Sequence, residues 1–537
     1  MARCFNITGL CVPSRHYMAD PSERVRQIQK MVDAGDYFTV NRARQYGKTT
    51  TLAALAKVLE KDYFVVSLDF QALGSSSFRD ENAFSLAFLL LFLREIKRNQ
   101  GESFAPAGEL IGKMQKTLSQ KEEHFDLLAL FEYLLTFCYH SQKPVVLMID
   151  ETDSASNNQV FLDFLAQLRG YYLERDIKGT RTFHSVILAG VYDIKNLKRK
   201  LRSDEEHKWN SPWNIAADFD VDMSLSEDGI KGMLLEYEKE HHTDMDTAEI
   251  AGLLYDYTSG YPYLVSKLCK LMDEKVCGQK DRPDFPKNTW TKERFLIAVR
   301  MFLSESNTLF ESLIGKLSDY PELKLLLEEL LFSGKAITYS PTNQSIGLAL
   351  MFGFVKIEEG KVIPANRIFD TLLYNHFLSL DETRTPDIYK ASLQDKSQFI
   401  TNGRLDMRRI LEKFAEHFQE LYGNCQERFL EEEGRRFFLL YLRPIINGTG
   451  NYYIESRTRS LKRTDIIVDY HGEQFIIETK IWRGNEYHSR GEKQLAAYLD
   501  DYHLDRGYLL SFSFNKKKQT GVREFTLDGK TLIEAVI

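Results

Sequence analysis

The segment that most restricts what this chain can become is a short apolar run, Asp36-Tyr37-Phe38-Thr39-Val40. It leads through Asn41-Arg42-Ala43-Arg44-Gln45-Tyr46-Gly47-Lys48-Thr49-Thr50 into a helical pattern over residues 51–60. Strand, loop and helix in that order, with Gly-Lys-Thr at the entry to the helix, form a phosphate cradle. Backbone N–H groups and the helix N-terminus face the phosphate oxygens, a lysine reaches the terminal phosphates, and a hydroxyl holds a divalent cation. Here Arg44, Gln45, Tyr46, Gly47 and Thr50 make up the cradle with Lys48 as its lysine and Thr49 as its hydroxyl. Arg42 stands where the pattern G-x-x-x-x-G-K-[ST] has its first glycine, a departure that bears on loop geometry and nucleotide affinity.

A second run, Pro144-Val145-Val146-Leu147-Met148-Ile149-Asp150-Glu151, is apolar throughout and ends in two acids. A strand buried on both faces of a parallel sheet reads this way. With the loop before it, it completes the Walker A and Walker B pair of a P-loop ATPase. Asp150 is expected to hold Mg²⁺ through water, and Glu151 to orient or deprotonate the attacking water. The expected ligand is ATP with Mg²⁺, and the expected fold is α/β with a P-loop parallel sheet. Ser185-Val186-Ile187-Leu188-Ala189-Gly190-Val191 reads as another buried strand, ending near Tyr192 and Asp193, where a sensor group would sit.

Thr258-Ser259-Gly260-Tyr261-Pro262-Tyr263-Leu264 resembles the G-x-P motif of the signal-transducing ATPases with numerous domains and their archaeal-type relatives. That resemblance implies that Pro262 neighbours the nucleotide. Residues near 250–375 read as helices, then Gly334 to Tyr339, a short helix near 345–351, and a hairpin through Phe354-Val355-Lys356-Ile357-Glu358-Glu359-Gly360-Lys361-Val362-Ile363. This is the order of a winged-helix module, which in such ATPases packs as a lid. Glu358 and Glu359 at the wing tip favour a lid or scaffold over DNA contact.

Near the C-terminus, Arg463-Thr464-Asp465-Ile466-Ile467-Val468-Asp469-Tyr470 and Glu473-Gln474-Phe475-Ile476-Ile477-Glu478-Thr479-Lys480 flank His471-Gly472. If His471-Gly472 closes a tight turn, Tyr470 faces Glu473 and Asp465 lies opposite Glu478. Side-chain alternation puts Lys480 on the face of Glu478. Two acids facing each other across a strand pair repel unless a divalent cation lies between them. A lysine beside such a metal can position or deprotonate the water that attacks a phosphodiester. These residues resemble the signature of the PD-(D/E)XK nuclease superfamily, with Asp465 as the lone acid and Glu478-Thr479-Lys480 as E-x-K. Gln494-Leu495-Ala496-Ala497-Tyr498 resembles the Q-x-x-x-Y helix that often follows that core, and residues 429–442 look like its opening helix. The resemblance implies one further glutamate there, Glu433, with Glu432 as the alternative. Oxygen ligands and phosphate favour Mg²⁺ or Mn²⁺ over zinc. Arg457, Arg459, Lys462 and Arg463 before the hairpin, and Arg483, His488, Arg490 and Lys493 after it, suit a phosphate backbone.

Taken together with Ser211-Pro212-Trp213-Asn214, these motifs resemble AAA-ATPase-like proteins fused to a PD-(D/E)XK domain, which are common in bacterial genomes. The resemblance spans nearly the whole chain. It implies an ATP-regulated DNA nuclease in defence or mobile-element maintenance. The alternative is an ATP-dependent assembly switch whose last domain binds nucleic acid without cutting it; a third version keeps the nuclease and makes the ATPase fold an inert scaffold. The expected domains are a P-loop ATPase over 1–225, a helical and winged-helix lid over 226–380, a polar linker over 381–400, and an α/β nuclease-like domain over 401–537. At 537 residues, two or three cores are expected. A net charge of −7 argues against a protein that coats DNA uniformly. Six cysteines without C-x-x-C spacing suggest buried free thiols rather than zinc or disulfides. No apolar run spans a membrane, and Met1-Ala2-Arg3-Cys4-Phe5 lacks a signal-peptide pattern, so the cytoplasm is the expected location and no membrane partner is expected. An ATPase acting in trans would need a homo-oligomer and an arginine finger, for which Arg169, Arg175 and Arg181 stand as alternatives.

Overall fold

In the computed structural model the described residues are 3–99, 108–120, 122–192, 213–277, 290–332, 337–383, 387–395, 398–401, 403–422, 431–446, 450–453, 466–470, 473–481, 485–502, 504–513 and 520–537. Internal contacts divide the chain into two units, residues 1–241 with 260–267, and residues 242–259 with 268–537.

In the first unit, four parallel strands form one sheet: β1 (Tyr37–Asn41), β2 (Phe64–Asp69), β3 (Val145–Asp150) and β4 (Ser185–Gly190), in the order β1-β4-β3-β2. β3 and β4 are buried throughout, and β1 up to Asn41, because alternate residues enter two separate cores, while Ser67 and Asp69 of the edge strand β2 are exposed. Tyr37, Leu147, Ile149 and Leu188 pack with the helices Glu81–Arg98, Leu127–His140 and Gln159–Lys178. Phe38, Met148 and Ile187 pack with Ser22–Asp33 and Lys48–Leu59. Continuous apolar strand sequences are the consequence of that double burial. Beyond β1 the chain returns along the sheet, where Ala217 bridges Phe38 and donates its N–H to the Tyr37 carbonyl.

In the second unit, the helices Thr308–Asp319 and Pro321–Phe332 precede β5 (Ile337–Thr338), the helix Gln344–Met351, β6 (Val355–Glu358) and β7 (Lys361–Pro364). The sheet order β5-β7-β6 gives the helix, strand and wing succession read from the sequence. The turn between β6 and β7 is Glu359-Gly360, both left-handed at φ 49° and 73°. The stretch expected as a polar linker instead contains the helix Asp387–Asp395, with Ile388 and Ser392 fully buried. Its apolar side packs on the helix Glu431–Ile446, a partner no local pattern announced.

The C-terminal sheet is mixed: β8 (Gly450–Tyr453), β9 (Ile466–Tyr470), β10 (Glu473–Ile481), β11 (Arg506–Phe512), β12 (Gly521–Leu527) and β13 (Lys530–Val536), ordered β8-β9-β10-β11-β13-β12. The helix Asn485–Asp501 covers one face, where a side chain added at Gly507 would strike Leu495 and Leu499. The helices Met407–Tyr422 and Glu431–Ile446 cover the other, meeting Phe512 through Phe414, Phe418 and Gly434. Of the cysteines, Cys138, Cys269 and Cys277 are buried, Cys11 is half-buried, Cys4 is exposed, and Cys425 lies outside the described residues. No helix among the described residues is long and apolar enough to cross a membrane.

Candidate functional site

The phosphate loop connects the end of β1 to the helix Lys48–Leu59. Gly47 sits at the helix N-cap with φ 81°, and Gln45 is also left-handed at φ 57°. Lys48 is buried, and its Nζ donates to the carbonyls of Arg42 at 2.9 Å and Ala43 at 3.0 Å. Burial lowers its pKa, opposed by the carboxylates of Asp153, Glu151 and Asp150. Thr49 Oγ1 donates to Asp150 Oδ2 at 2.7 Å, so the hydroxyl and the acid meet across 101 positions of sequence. These are hard oxygen donors in contact, the type of set that suits Mg²⁺. Arg44 and Gln45 are exposed at the loop, while Thr50 Oγ1 accepts the N–H of Cys11 at 3.2 Å.

Arg42 needs no glycine-like backbone, since its φ is negative, and its side chain is employed elsewhere. The guanidinium donates to the carbonyls of Asn41 and Val221, each at 2.8 Å, and lies 5.2 Å from the Phe219 ring centroid. The substitution for glycine thus fastens the start of the loop to the returning chain at the edge of the sheet.

Pro262, which the G-x-P resemblance would set beside the nucleotide, abuts the phosphate loop at Gly47. A Cβ built on Gly47 would stand 3.7 Å from Pro262 Cγ. Tyr261 donates its hydroxyl to the Arg44 carbonyl and meets Tyr46 edge-on, with ring centroids 4.6 Å apart. Gly260 has no room for a side chain, because a Cβ would fall 2.0 Å from the Leu225 carbonyl oxygen.

Glu151 follows Asp150 in a left-handed conformation, φ 54° and ψ 41°, which costs a non-glycine residue about 1–2 kcal/mol. Strain of this kind gathers at functional positions. Glu151 reaches solvent, yet the protein around it still desolvates its carboxyl; that, followed by the charge of Asp150, raises its pKa. The turn after it contains Asp153, which the sequence reading did not single out: its carboxylate accepts the N–H groups of Val191 and Tyr192 beyond β4. The D-E-x-D spacing was the available signal.

Of the three candidate arginine fingers, Arg175 is engaged inside its own sheet. It donates to the carbonyls of Gly35 and His184 and lies over Tyr172, at the end of the strands opposite Asp150. Arg181 donates to the Tyr139 carbonyl.

In the C-terminal sheet the hairpin has the register inferred from its turn: Tyr470 pairs with Glu473 and Ile466 with Ile477. Asp465, one position further, lies outside the described residues, as do Arg457, Arg459, Lys462, Arg463 and Arg483. Glu478 is 0% exposed and forms an ion pair with Lys480 Nζ at 2.8 Å, so the E-x-K pair does share a face. The helix Asn485–Asp501 lies over that face, with Gly491 beside the Lys480 side chain. On it, Gln494 Nε2 donates to the Tyr498 hydroxyl at 2.6 Å. Glu433 is exposed on a helix whose Gly434 packs on Phe512, and by strand alternation Phe512 faces away from Glu478 and Lys480. A feature unread in the sequence lies on the Glu478 face: fully buried Glu534 accepts from Ser511 Oγ at 2.6 Å and from Arg523 Nε at 2.5 Å. Among the described residues no group of three or more His, Cys, Asp or Glu could hold a metal ion.

A family model described as an AAA-like domain matches residues 8–377. The chain belongs to that AAA-like family. Its match covers the phosphate loop, the strand ending in Asp150, the G-x-P segment and the wing, and stops before the C-terminal sheet. Among solved structures, a Walker-type ATPase of Pyrococcus abyssi aligns at 12% identity and TM-score 0.45, covering 69% of this chain and 99% of its own. The ORC2 protein of Aeropyrum pernix, in ADPNP–ADP complexes, aligns at 13% identity and TM-score 0.32, over 69% of this chain and 96% of its own. The ORC1 protein of the same organism, in complex with DNA, aligns at 12% identity and TM-score 0.29, over 67% and 93%. No curated protein matches the chain.

Proposed function

We propose that this AAA-like protein binds and hydrolyses ATP at the end of its parallel sheet, and that its C-terminal domain is a metal-dependent nuclease acting on DNA under the control of the nucleotide state. In this reading residues 1–225 are the ATPase, 226–380 the helical and winged-helix lid, and 401–537 the nuclease-like domain. The observation that carries the ATPase half is the 2.7 Å bond between Thr49 and Asp150, beside a buried Lys48 and a Gly47 that Pro262 abuts. Thr49 and Asp150 would hold Mg²⁺, which when bound neutralises the phosphate charge. Lys48 exchanges its two carbonyl acceptors for phosphate oxygens, the N–H groups of the loop from Arg44 to Thr50 cradle them, and Glu151 holds or deprotonates the attacking water.

The nuclease half is supported by the inferred hairpin register and by Glu478 and Lys480 on one face, with Asp465 as the partner acid, Gln494 on the helix above, and Mg²⁺ or Mn²⁺ as the metal; Glu433, on the helix that covers the opposite face, takes no part in it. The biology proposed is defence or mobile-element maintenance. A second reading, a nucleotide-driven switch that binds nucleic acid without cutting it, is favoured by one observation: Glu478 is fully buried and already paired with Lys480. The test is Mg²⁺-dependent ATP hydrolysis and cleavage of linear, circular and single-stranded DNA, with and without ATP, by wild type, Lys48→Ala and Asp465→Ala. Hydrolysis lost in Lys48→Ala supports the ATPase, and cleavage lost in Asp465→Ala supports the nuclease. ATP turnover with DNA binding but no cleavage supports the switch.

A further inference from the structure

We propose that Asp153 is a positioning residue of the ATPase site, holding the Glu151 turn and the chain beyond Gly190 in fixed relation to the phosphate loop. This rests on the ATPase reading above. Asp153 lies in the single turn Thr152–Ser154 that follows Asp150 and Glu151. Its Oδ1 accepts the N–H of Val191 at 2.8 Å and of Tyr192 at 2.9 Å, and Oδ2 accepts Val191 again at 2.9 Å. A carboxylate received by two consecutive amides is a charge-assisted contact, stronger than a bond between neutral groups. Its neighbours act in the same sense. Thr152 Oγ1 donates to the Ala189 carbonyl at 3.0 Å, and Ser154 Oγ to the Phe70 carbonyl at 3.2 Å.

Three successive side chains thus lace one turn to both strands beside β3: Thr152 and Asp153 to the end of β4, and Ser154 to the chain just after β2. The residue so restrained is Glu151, in a left-handed backbone that a non-glycine residue leaves when released. Relaxation to the right-handed region would move a carboxylate that now lies near enough to Asp150 and Lys48 to feel their charges. Gly190 completes the fit, because a Cβ there would stand 2.7 Å from Thr152 Oγ1 and 2.8 Å from Asp153 Oδ1. Since the Asp153 oxygens are occupied by amides, the residue acts through Glu151 and the chain after β4, not on the reacting atoms.

The test uses the full chain and measures kcat and KM for Mg²⁺-ATP hydrolysis, binding of a fluorescent ATP analogue, and thermal unfolding. Asp153→Ala is expected to lower kcat about a hundredfold, as a misplaced reacting group does, while analogue affinity changes by less than about threefold. Asp153→Asn, which keeps one acceptor oxygen, recovers part of the rate. Gly190→Ala pushes on the same carboxylate, and on Thr152, from the chain that donates to it and reproduces the loss with Asp153 in place, which keeps the test decisive should Asp153→Ala fail to fold. Wild-type turnover in Asp153→Ala or Gly190→Ala, or a loss of kcat matched by an equal loss of analogue binding, overturns the positioning role alone. If wild type hydrolyses no faster than Lys48→Ala, the ATPase reading falls and this inference falls with it.

Discussion

At the end of β3, Asp150 meets a threonine hydroxyl from another element; near the end of β10, Glu478 meets a lysine two residues along its own strand. Both are acids near the ends of buried strands, with a lysine near at hand. Their surroundings differ. Thr49 is exposed and the buried Lys48 rests on neutral loop carbonyls, so the first site can trade protein hydrogen bonds for ligand oxygens without breaking an ion pair of its lysine. Glu478 is sealed under a helix, where its ion pair with Lys480 must be opened or supplemented before a metal can enter. In low dielectric an ion pair is strong and its unpaired members are costly. Similar motif chemistry therefore describes one site arranged for exchange and another arranged for retention.

The comparison breaks most visibly at Lys48. Lys48→Ala should reduce ATP hydrolysis by about two to three orders of magnitude, as loss of a group that stabilises developing charge does, with thermal unfolding little changed. If the enzyme keeps its rate, the first site is no more ready than the second. Next in size, Glu478→Ala strands Lys480 in a covered position and should destabilise the second unit by about 3–5 kcal/mol in chemical denaturation. Glu478→Ala combined with Lys480→Met should recover much of that loss; an unstable double variant would show that the pair is not what Glu478 contributes.

Arg42→Gly restores the common loop pattern and removes two carbonyl contacts. It should cost about 2 kcal/mol of stability without tightening ATP binding, measured by unfolding and by titration. Tighter binding would mean that Arg42 impairs the loop. The smallest effect concerns Glu151, whose pKa is raised by desolvation first and Asp150 second. The folded state holds this proton more firmly than the unfolded chain, so as pH rises above the ordinary glutamate value, ionisation of Glu151 reduces stability. Glu151→Gln should therefore be slightly more stable than wild type at neutral pH while hydrolysing ATP poorly. A Glu151→Gln variant no more stable than wild type at neutral pH, in chemical denaturation without metal, would show that its surroundings do not penalise the Glu151 carboxylate.

Much of the local geometry around both candidate sites was readable because each motif is compact in sequence. Counting back from a two-residue connection gave the pairing from Tyr470 with Glu473 to Ile466 with Ile477 that the strands adopt, and the apolar run ending in Asp150 marked a doubly buried strand. The wing emerged from turn and strand signals in the same way. The helix Asp387–Asp395 was hidden because its polar residues resemble a linker until Ile388 and Ser392 find a helix to cover them. Arg175 looked available for a neighbouring subunit, but its guanidinium is held by carbonyls preceding two strands of its own sheet.

The sequence by itself determined the phosphate loop, the acid strand, the G-x-P segment and the hairpin register, since spacing and alternation dictate which neighbouring side chains share a face. Tertiary structure alone decided that Asp153 faces Val191 and Tyr192, that Arg42 reaches Val221, and that Glu534 meets Ser511 and Arg523. Those contacts depend on the order in which distant strands lie side by side. That order is set by how buried faces close over the sheets, not by the residues adjacent in the chain.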